Sequence, residues 1–438
     1  MKKRVLTGLF MVIMTATATK AQVSSTLSPY SQFGLGVLAD QSLGFNRGMG
    51  GLAIGLRNGK IVNMQNPASY SAIDSLTMII DAGVTGQITN FKESGKKTNK
   101  KTGAFDYAAV SFRLFKRVGF SAGVVPYSNI GYNYYNKEKL TNNLTSTLTS
   151  KGDGGFSQAY AGVGVEVLKG LSIGANVSYF WGKYEKSIVP QSSESSSDTQ
   201  TRTYSASISS YKIDLGAQWI GTIDKRNQIT TGLVVGLGHK LNGEANMTTT
   251  MVRSASSNSS TDTLSIDNAL SIPFTFGAGV TWVHNNRLTV GLDYILQTWG
   301  SLDYPRYNRS TNKYELNSNI LRNRHKFVVG ADWIPDPMSR KFLKRVHYRM
   351  GVSYATPYYN IEGRDQNGQS VMNNGPKEFA VSAGFSIPIV NTWNNRSMLN
   401  ISAQWVNTSA GGLLTENSFR INLGLTFNER WFAKWKVD

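Results

Sequence analysis

"NSFRINLGLTFNER", residues 417–430, sets Phe419, Ile421, Leu423, Leu425 and Phe427 on one face and Ser418, Arg420, Asn422, Gly424, Thr426 and Asn428 on the other. Side chains alternate across a strand with a period of two, so this is a strand with one apolar face and one polar or small face. The period returns at Leu270, Ile272, Phe274, Phe276, Ala278, Val280 and Trp282, and again at Leu171, Ile173, Ala175, Val177, Tyr179 and Trp181. Fourteen segments read as strands: 76–90, 104–115, 119–136, 155–168, 171–187, 203–222, 228–246, 266–283, 287–301, 317–334, 346–363, 376–390, 397–408 and 416–428. A chain of 438 residues could hold two domains, but the unbroken pattern makes one large β-domain over 76–438.

Such strands build either a sandwich, whose apolar faces meet in a core, or a membrane barrel, whose apolar faces meet lipid. Connection lengths decide between them. Long polar links such as "KESGKKTNKKT" and "VPQSSESSSDTQT" alternate with short ones such as "KRV", "KG", "DKRN" and "HNNR". Long outer loops, short periplasmic turns and an even strand number mark a 14-stranded antiparallel transmembrane β-barrel, placed in the cell outer membrane of a Gram-negative cell. Trp219, Trp282 and Trp333 share the apolar parity shortly before short connections, as an aromatic girdle on the periplasmic side would require.

The start, "MKKRVLTGLFMVIMTATATKA", has three cations, a short apolar core and a small-residue end, and is expected to be a signal peptide over 1–21. Its loss would take the formal net charge of +19 down by Lys2, Lys3, Arg4 and Lys20 to +15. The remaining cations are scattered over loops and turns, which disfavours nucleic acid and points to outer-membrane lipid headgroups and lipopolysaccharide. The chain has no cysteine, so it has no lipoprotein attachment site and no disulfide framework.

Catalytic chemistry finds little to stand on. His239, His284, His325 and His347 accompany no G-x-S-x-G stretch, and with no close His pairing the sequence offers no metal site. The reading is no enzyme and no cofactor. Charges on the inward parity, Asp81, Arg113, Glu166, Lys212, Asp214, Asp293, Lys326, Asp332, Arg349 and Arg420, read as a lumenal network holding strands and plug together.

Two segments break the pattern. In the third strand, "GFSAGVVPYSNIGY", Pro126 has no amide hydrogen for the ladder and Gly123 weakens the strand beside it, so a kink or bulge is expected. Residues 22–75 are rich in glycine and lack alternation, and are expected to fold inside the lumen as a plug or hatch. Within them Asn66 is a favoured N-cap and Pro67 a favoured first helical residue, predicting a short helix over 67–73.

The plug with "RGMGG" (47–51) and "NPA" (66–68), the fourteen strands, "VPYS" (125–128) in the third of them, and the ending "FRINLGLTFNERWF" together resemble the FadL-like family of long-chain fatty-acid and aromatic-hydrocarbon transporters, in its Bacteroidetes-type members. That resemblance implies a hatch including Arg47, Gly50, Gly51, Asn66, Pro67 and Ala68. It also implies a hydrophobic small-molecule ligand and sideways release at an opening beside Gly123, Pro126 and Tyr127. The long loops are rich in serine, threonine and asparagine, and only "NIGYNYYN" (129–136) and "YATPYYNI" (354–361) offer aromatic clusters for capture. Diffusive uptake of hydrophobic molecules is the first functional reading. The alternative is a non-transporting accessory subunit of an outer-membrane secretion or barrel-assembly complex, docked to a protein partner, for which the basic link "SRKFLKR" (339–345) is the sequence hint.

Overall fold

The computed structural model describes residues 28–93, 95–141, 144–192, 198–254, 258–308, 311–364, 370–390, 396–411 and 413–430, so the signal-peptide segment 1–21 lies outside the described residues. Fourteen antiparallel strands form the wall: β1 (Thr77–Glu93), β2 (Lys96–Phe115), β3 (Val118–Thr141), β4 (Leu144–Leu168), β5 (Leu171–Ser192), β6 (Thr199–Thr222) and β7 (Asn227–Gly236). They continue as β8 (Thr275–His284), β9 (Leu288–Gln297), β10 (Arg324–Trp333), β11 (His347–Ala355), β12 (Lys377–Val390), β13 (Arg396–Ser409) and β14 (Thr415–Arg430). Each pairs with the next, and β14 pairs back onto β1 from Thr77↔Arg430 to Lys92↔Thr415, which closes the barrel.

Several links expected as loops are strand. The lysine-rich link after β1 is the upper half of β2, paired to β1 through Glu93↔Lys96, and β3, β4, β5 and β6 run 22 to 25 residues. That exceeds the roughly 9 to 11 residues that cross a bilayer, so these hairpins stand above it. Conversely, the segments expected at 228–246 and 266–283 are each interrupted by a separate crossing pair, His239–Lys240 with Ser271–Ile272; beyond it a hairpin, Gly243–Val252 with Ser259–Asp267, rejoins the upper half of β6 from Gly243↔Ile208 to Val252↔Thr199 and extends the wall.

Burial is inverted relative to a water-soluble protein. On β14, Phe419, Ile421 and Leu423 are exposed while Ser418, Asn422, Thr426 and Asn428 are buried. The same exposed apolar face runs round the ring through Val84, Ile173, Leu233, Leu292, Val329 and Val381. Only a hydrocarbon surround makes that arrangement favourable.

Residues 28–75 run down the inside of this wall. They begin at the loop end, where the Ser28 amide donates to the Gly131 carbonyl at 2.9 Å and the Ser28 hydroxyl to Glu416 at 2.6 Å, and leave at the turn end into β1. Inward-facing glycines let the plug backbone come against the wall. A β-carbon would fall 2.0 Å from the Ile54 carbonyl oxygen at Gly232, 2.3 Å from that of Pro67 at Gly164, and 2.5 Å from that of Met49 at Gly330. Equivalent backbone approaches occur at Gly119, Gly174 and Gly351, the Asn66 side chain fills the space at Gly216, and the Gly44 Cα lies 3.1 Å from a β-carbon at Gly424, so the plug touches the wall on all sides.

The upper wall packs against the plug. Gly155 and Gly182 lie side by side on β4 and β5 with φ of +145° and +157°, and β-carbons there would meet the Ser128 and Gly155 carbonyl oxygens at 2.4 and 2.2 Å. Glycine alone allows both the conformation and the approach. Tyr132, Phe156, Phe180 and Tyr184 of this part of the wall pack with Tyr30 and Leu35 of the plug, and Trp299, Tyr358 and Tyr359 from the opposite loops complete an apolar cap.

Candidate functional site

The plug motif "RGMGG" is built around one cation. A short helix, α1 (Gly44–Arg47), ends in Gly50 and Gly51 with φ of +70° and +92°, and this turn closes with the Gly51 amide on the Asn46 carbonyl at 3.0 Å. Arg47 then reaches the wall, with Nη1 at 2.5 Å from Asp106, 2.9 Å from Thr85 and 3.2 Å from Asn422, and Nε donating to the Ser42 carbonyl at 3.0 Å. Asp106 is available because it is the extra residue of a bulge: Gly83 and Val84 on β1 pair with Tyr107 and Phe105 on β2. A bulge re-aims a side chain out of strict alternation.

"NPA" holds the opposite side. Asn66 accepts from the Ala68 amide at 3.2 Å, capping a 3-10 helix, Pro67–Ala72, where a helix over 67–73 was expected. Its Nδ2 donates to the Ile54 carbonyl at 2.8 Å and to Ala217 of β6 at 3.2 Å. The wall answers with Gln218, which donates to the Ile54 and Leu56 carbonyls at 3.0 and 3.1 Å, and with Asn176, which accepts from Tyr70 at 3.0 Å and donates to Met64 at 2.9 Å. Two charges of the inward set join them. Asp293 accepts from the Ala53 and Ile54 amides at 2.7 and 2.9 Å, and Arg349 donates to the Phe45 carbonyl with its guanidinium 4.4 Å from the Phe45 ring centre. Others pair within the wall: Lys212 with Asp214, Arg420 with Gln87 at 2.7 Å, and Asp81 with Tyr107 at 2.9 Å.

Near Pro126 the wall divides. β2 and β3 pair from Phe115↔Val118 only as far as Ala108↔Val124, so Gly123 is still in the ladder, opposite Ala109, and Pro126 lies just past its end. Above that point, among the described residues, no strand pairs with the β3-facing edge of β2 from Lys96 to Tyr107. β3 continues along β4 with a register shift between Pro126 and Ser128 that leaves Tyr127 bulged, its ring buried 5.0 Å from Phe180. The plug takes the edge that β2 vacates. Val37 and Leu38 pair with Asn129 and Ser128, the Ala39 amide donates to the Tyr127 carbonyl at 2.9 Å, and Gln41 donates to the Pro126 carbonyl at 2.8 Å.

The two aromatic stretches noted in the sequence meet in the cap. Phe33 stacks on Tyr359 at 5.2 Å, Trp299 lies 5.0 Å from Tyr358, and the Tyr359 hydroxyl donates to the Tyr30 carbonyl at 3.1 Å. Trp219, Trp282 and Trp333 are placed on the outer face toward the short-turn end, with Trp333 5.7 Å from Tyr348. The histidines are dispersed. His284 meets Asn227 at 2.8 Å, His325 meets Tyr294 at 2.9 Å, His347 meets Asp332 at 2.9 Å, and His239 stacks on Tyr211 at 4.3 Å.

No curated protein sequence matches the chain. Among solved structures it is similar to the Ralstonia pickettii toluene transporter TbuX, at 14% identity and a TM-score of 0.61 over 90% of this chain and 99% of that one. It is likewise similar to the Pseudomonas putida toluene transporter TodX, at 14% identity and 0.60 over 92% and 100%, and to a Pseudomonas aeruginosa FadL homologue, at 12% identity and 0.56 over 90% and 99%. At such identities the likeness is one of fold, the fold the sequence motifs resembled. The BamG family model matches residues 1–438, and over its whole length this chain belongs to the BamG family.

Proposed function

We propose that the chain serves as a fixed-plug barrel subunit of an outer-membrane protein complex, of the barrel-assembly kind that we read in the family name. The observation that carries this reading is the seating of the plug. Its backbone lies against wall glycines on opposite sides of the ring, and Arg47, Asn66, Asp293 and Arg349 bind it to strands spread around the wall. A stopper bound in this way has many buried hydrogen bonds to break before it moves, each costly to leave unpaired. The cap above is occupied by the chain's own aromatic side chains, with Trp299 and Phe180 fully buried.

A second reading, uptake of hydrophobic small molecules such as the toluene named for TbuX and TodX, draws on the division between β2 and β3. There Gly123, Pro126 and Tyr127 would border a sideways path, and Phe105 and Val124 give its lower rim an apolar, outward-facing lining. Linking Leu38→Cys to Ser128→Cys across their strand pair separates the two readings. Under the subunit reading, toluene uptake is the same in wild-type, deletion and cross-linked cells. Uptake that falls on deletion and stays low until the cross-link is reduced would replace it with the transport reading.

A further inference from the structure

The short-turn end of the barrel has an organisation that neither reading uses. Each of three tight turns sets an exposed apolar side chain beside cations: Phe115 (72% exposed) before Lys116 and Arg117, Leu168 (64%) before Lys169, and Ile223 (64%) close to Lys225 and Arg226. The turn between β10 and β11, residues 335–346, enlarges the same theme. It carries Arg340, Lys341, Lys344 and Arg345 with Met338 (84%), Phe342 (48%) and Leu343 (68%) exposed among them.

This larger turn is a built structure. The Asp336 amide donates to the Lys344 carbonyl at 2.9 Å, the Ser339 amide donates back to Asp336 at 3.2 Å, and a 3-10 turn spans Phe342–Arg345. Asp336 is its one carboxylate, and that carboxylate faces Arg287 at 3.9 Å. Its position is fixed by Tyr348, which shares the outward parity of β11 with the exposed Met350 and Val352 and stands beside Trp333 and Phe385. The Tyr348 hydroxyl donates to the Leu343 carbonyl at 3.0 Å, so the turn is tied to the lipid-facing side of the wall. Apolar side chains set among lysine and arginine at the level of an aromatic girdle suit the boundary between acyl chains and headgroups.

We propose that residues 335–346 bind anionic phospholipid of the periplasmic leaflet, with Phe342 and Leu343 in the acyl boundary and the four cations on headgroup phosphates. Recurrence around the rim favours lipid over a protein partner. A leaflet touches the whole circumference, and the pairing of apolar side chain and cation recurs at four of the five described turns, all but the Asn285–Arg287 turn, whereas a docked protein covers one sector. The proposal stands whether the barrel transports or docks.

The test uses the full mature barrel in nanodiscs of phosphatidylcholine mixed with phosphatidylglycerol, with retained lipid counted by native mass spectrometry and amide exchange followed over residues 335–346. The wild type is expected to keep phosphatidylglycerol in preference and to exchange more slowly in its presence. Arg340→Gln, Lys341→Gln, Lys344→Gln and Arg345→Gln together should lower the preference by well over fivefold, since a single cation near an anionic surface contributes about fivefold by itself. Phe342→Ser with Leu343→Ser should lose the protection while keeping part of the preference. Heat-modifiable gel migration verifies that each variant is folded. Equal retention of the two lipids by the wild type, or a preference that survives all four substitutions, overturns the proposal. Protection that appears only with outer-membrane protein and not with phosphatidylglycerol also overturns it, and assigns the turn to a protein partner.

Discussion

Arg47 shows how one residue joins sequence motif, plug and wall. Its guanidinium is buried against Asp106, Thr85 and Asn422, three positions on three strands. Arg47→Met should leave Asp106 buried without its cation and cost about 3–5 kcal/mol, read as a lower urea midpoint in lipid vesicles, whereas Arg47→Met with Asp106→Asn should recover part of it. Gly232→Val tests the other kind of contact, because a side chain there collides with the Ile54 carbonyl. We expect a loss of about 3 kcal/mol or a displaced plug, seen as a rise in single-channel conductance. Asn66 and Pro67 were legible in the sequence as a helix cap, whereas Arg47, Gly50 and Gly51 came only with the family resemblance, which named neither their turn nor their partners. Asp106 was not, since its inward aim comes from a bulge defined by the register of β1. Gln218 and Asn176 read only as polar positions on the inward parity, and nothing local tells which of those meets a plug carbonyl.

At the scale of elements, alternation sets the faces. Leu423 points to lipid and Asn422 into the lumen, so Leu423→Arg should destabilise the barrel by about 2–4 kcal/mol in vesicle unfolding. Alternation revealed the strands where one face is lipid and the other lumen. It failed above the bilayer, where both faces of the β1–β2 hairpin are wet and lysine, threonine and asparagine give no period to read. Pro126 signalled an irregular third strand, but the length of the division did not follow from it. That length depends on whether β2 finds a partner after Ala108, and on residues 37–41 of the plug taking β3 instead. The positive φ at Gly155 and Gly182 was equally hidden, because each reads alone as a small residue in a strand and only the register of β4 on β5 sets them on neighbouring rungs.

For the whole molecule, the closed ring, the seated plug and the aromatic cap describe a barrel whose interior is used for its own packing. Fold likeness to hydrocarbon channels leaves function open, because one barrel architecture can carry a pathway or present a surface. Membership of the BamG family and the anchoring of the plug favour the surface. The most direct measurement is the native mass of the tagged protein extracted from its own outer membrane in mild detergent. The expected species carries further outer-membrane proteins in fixed ratio, well above the 48.1 kDa chain. A solitary barrel with only lipid and detergent bound would contradict it.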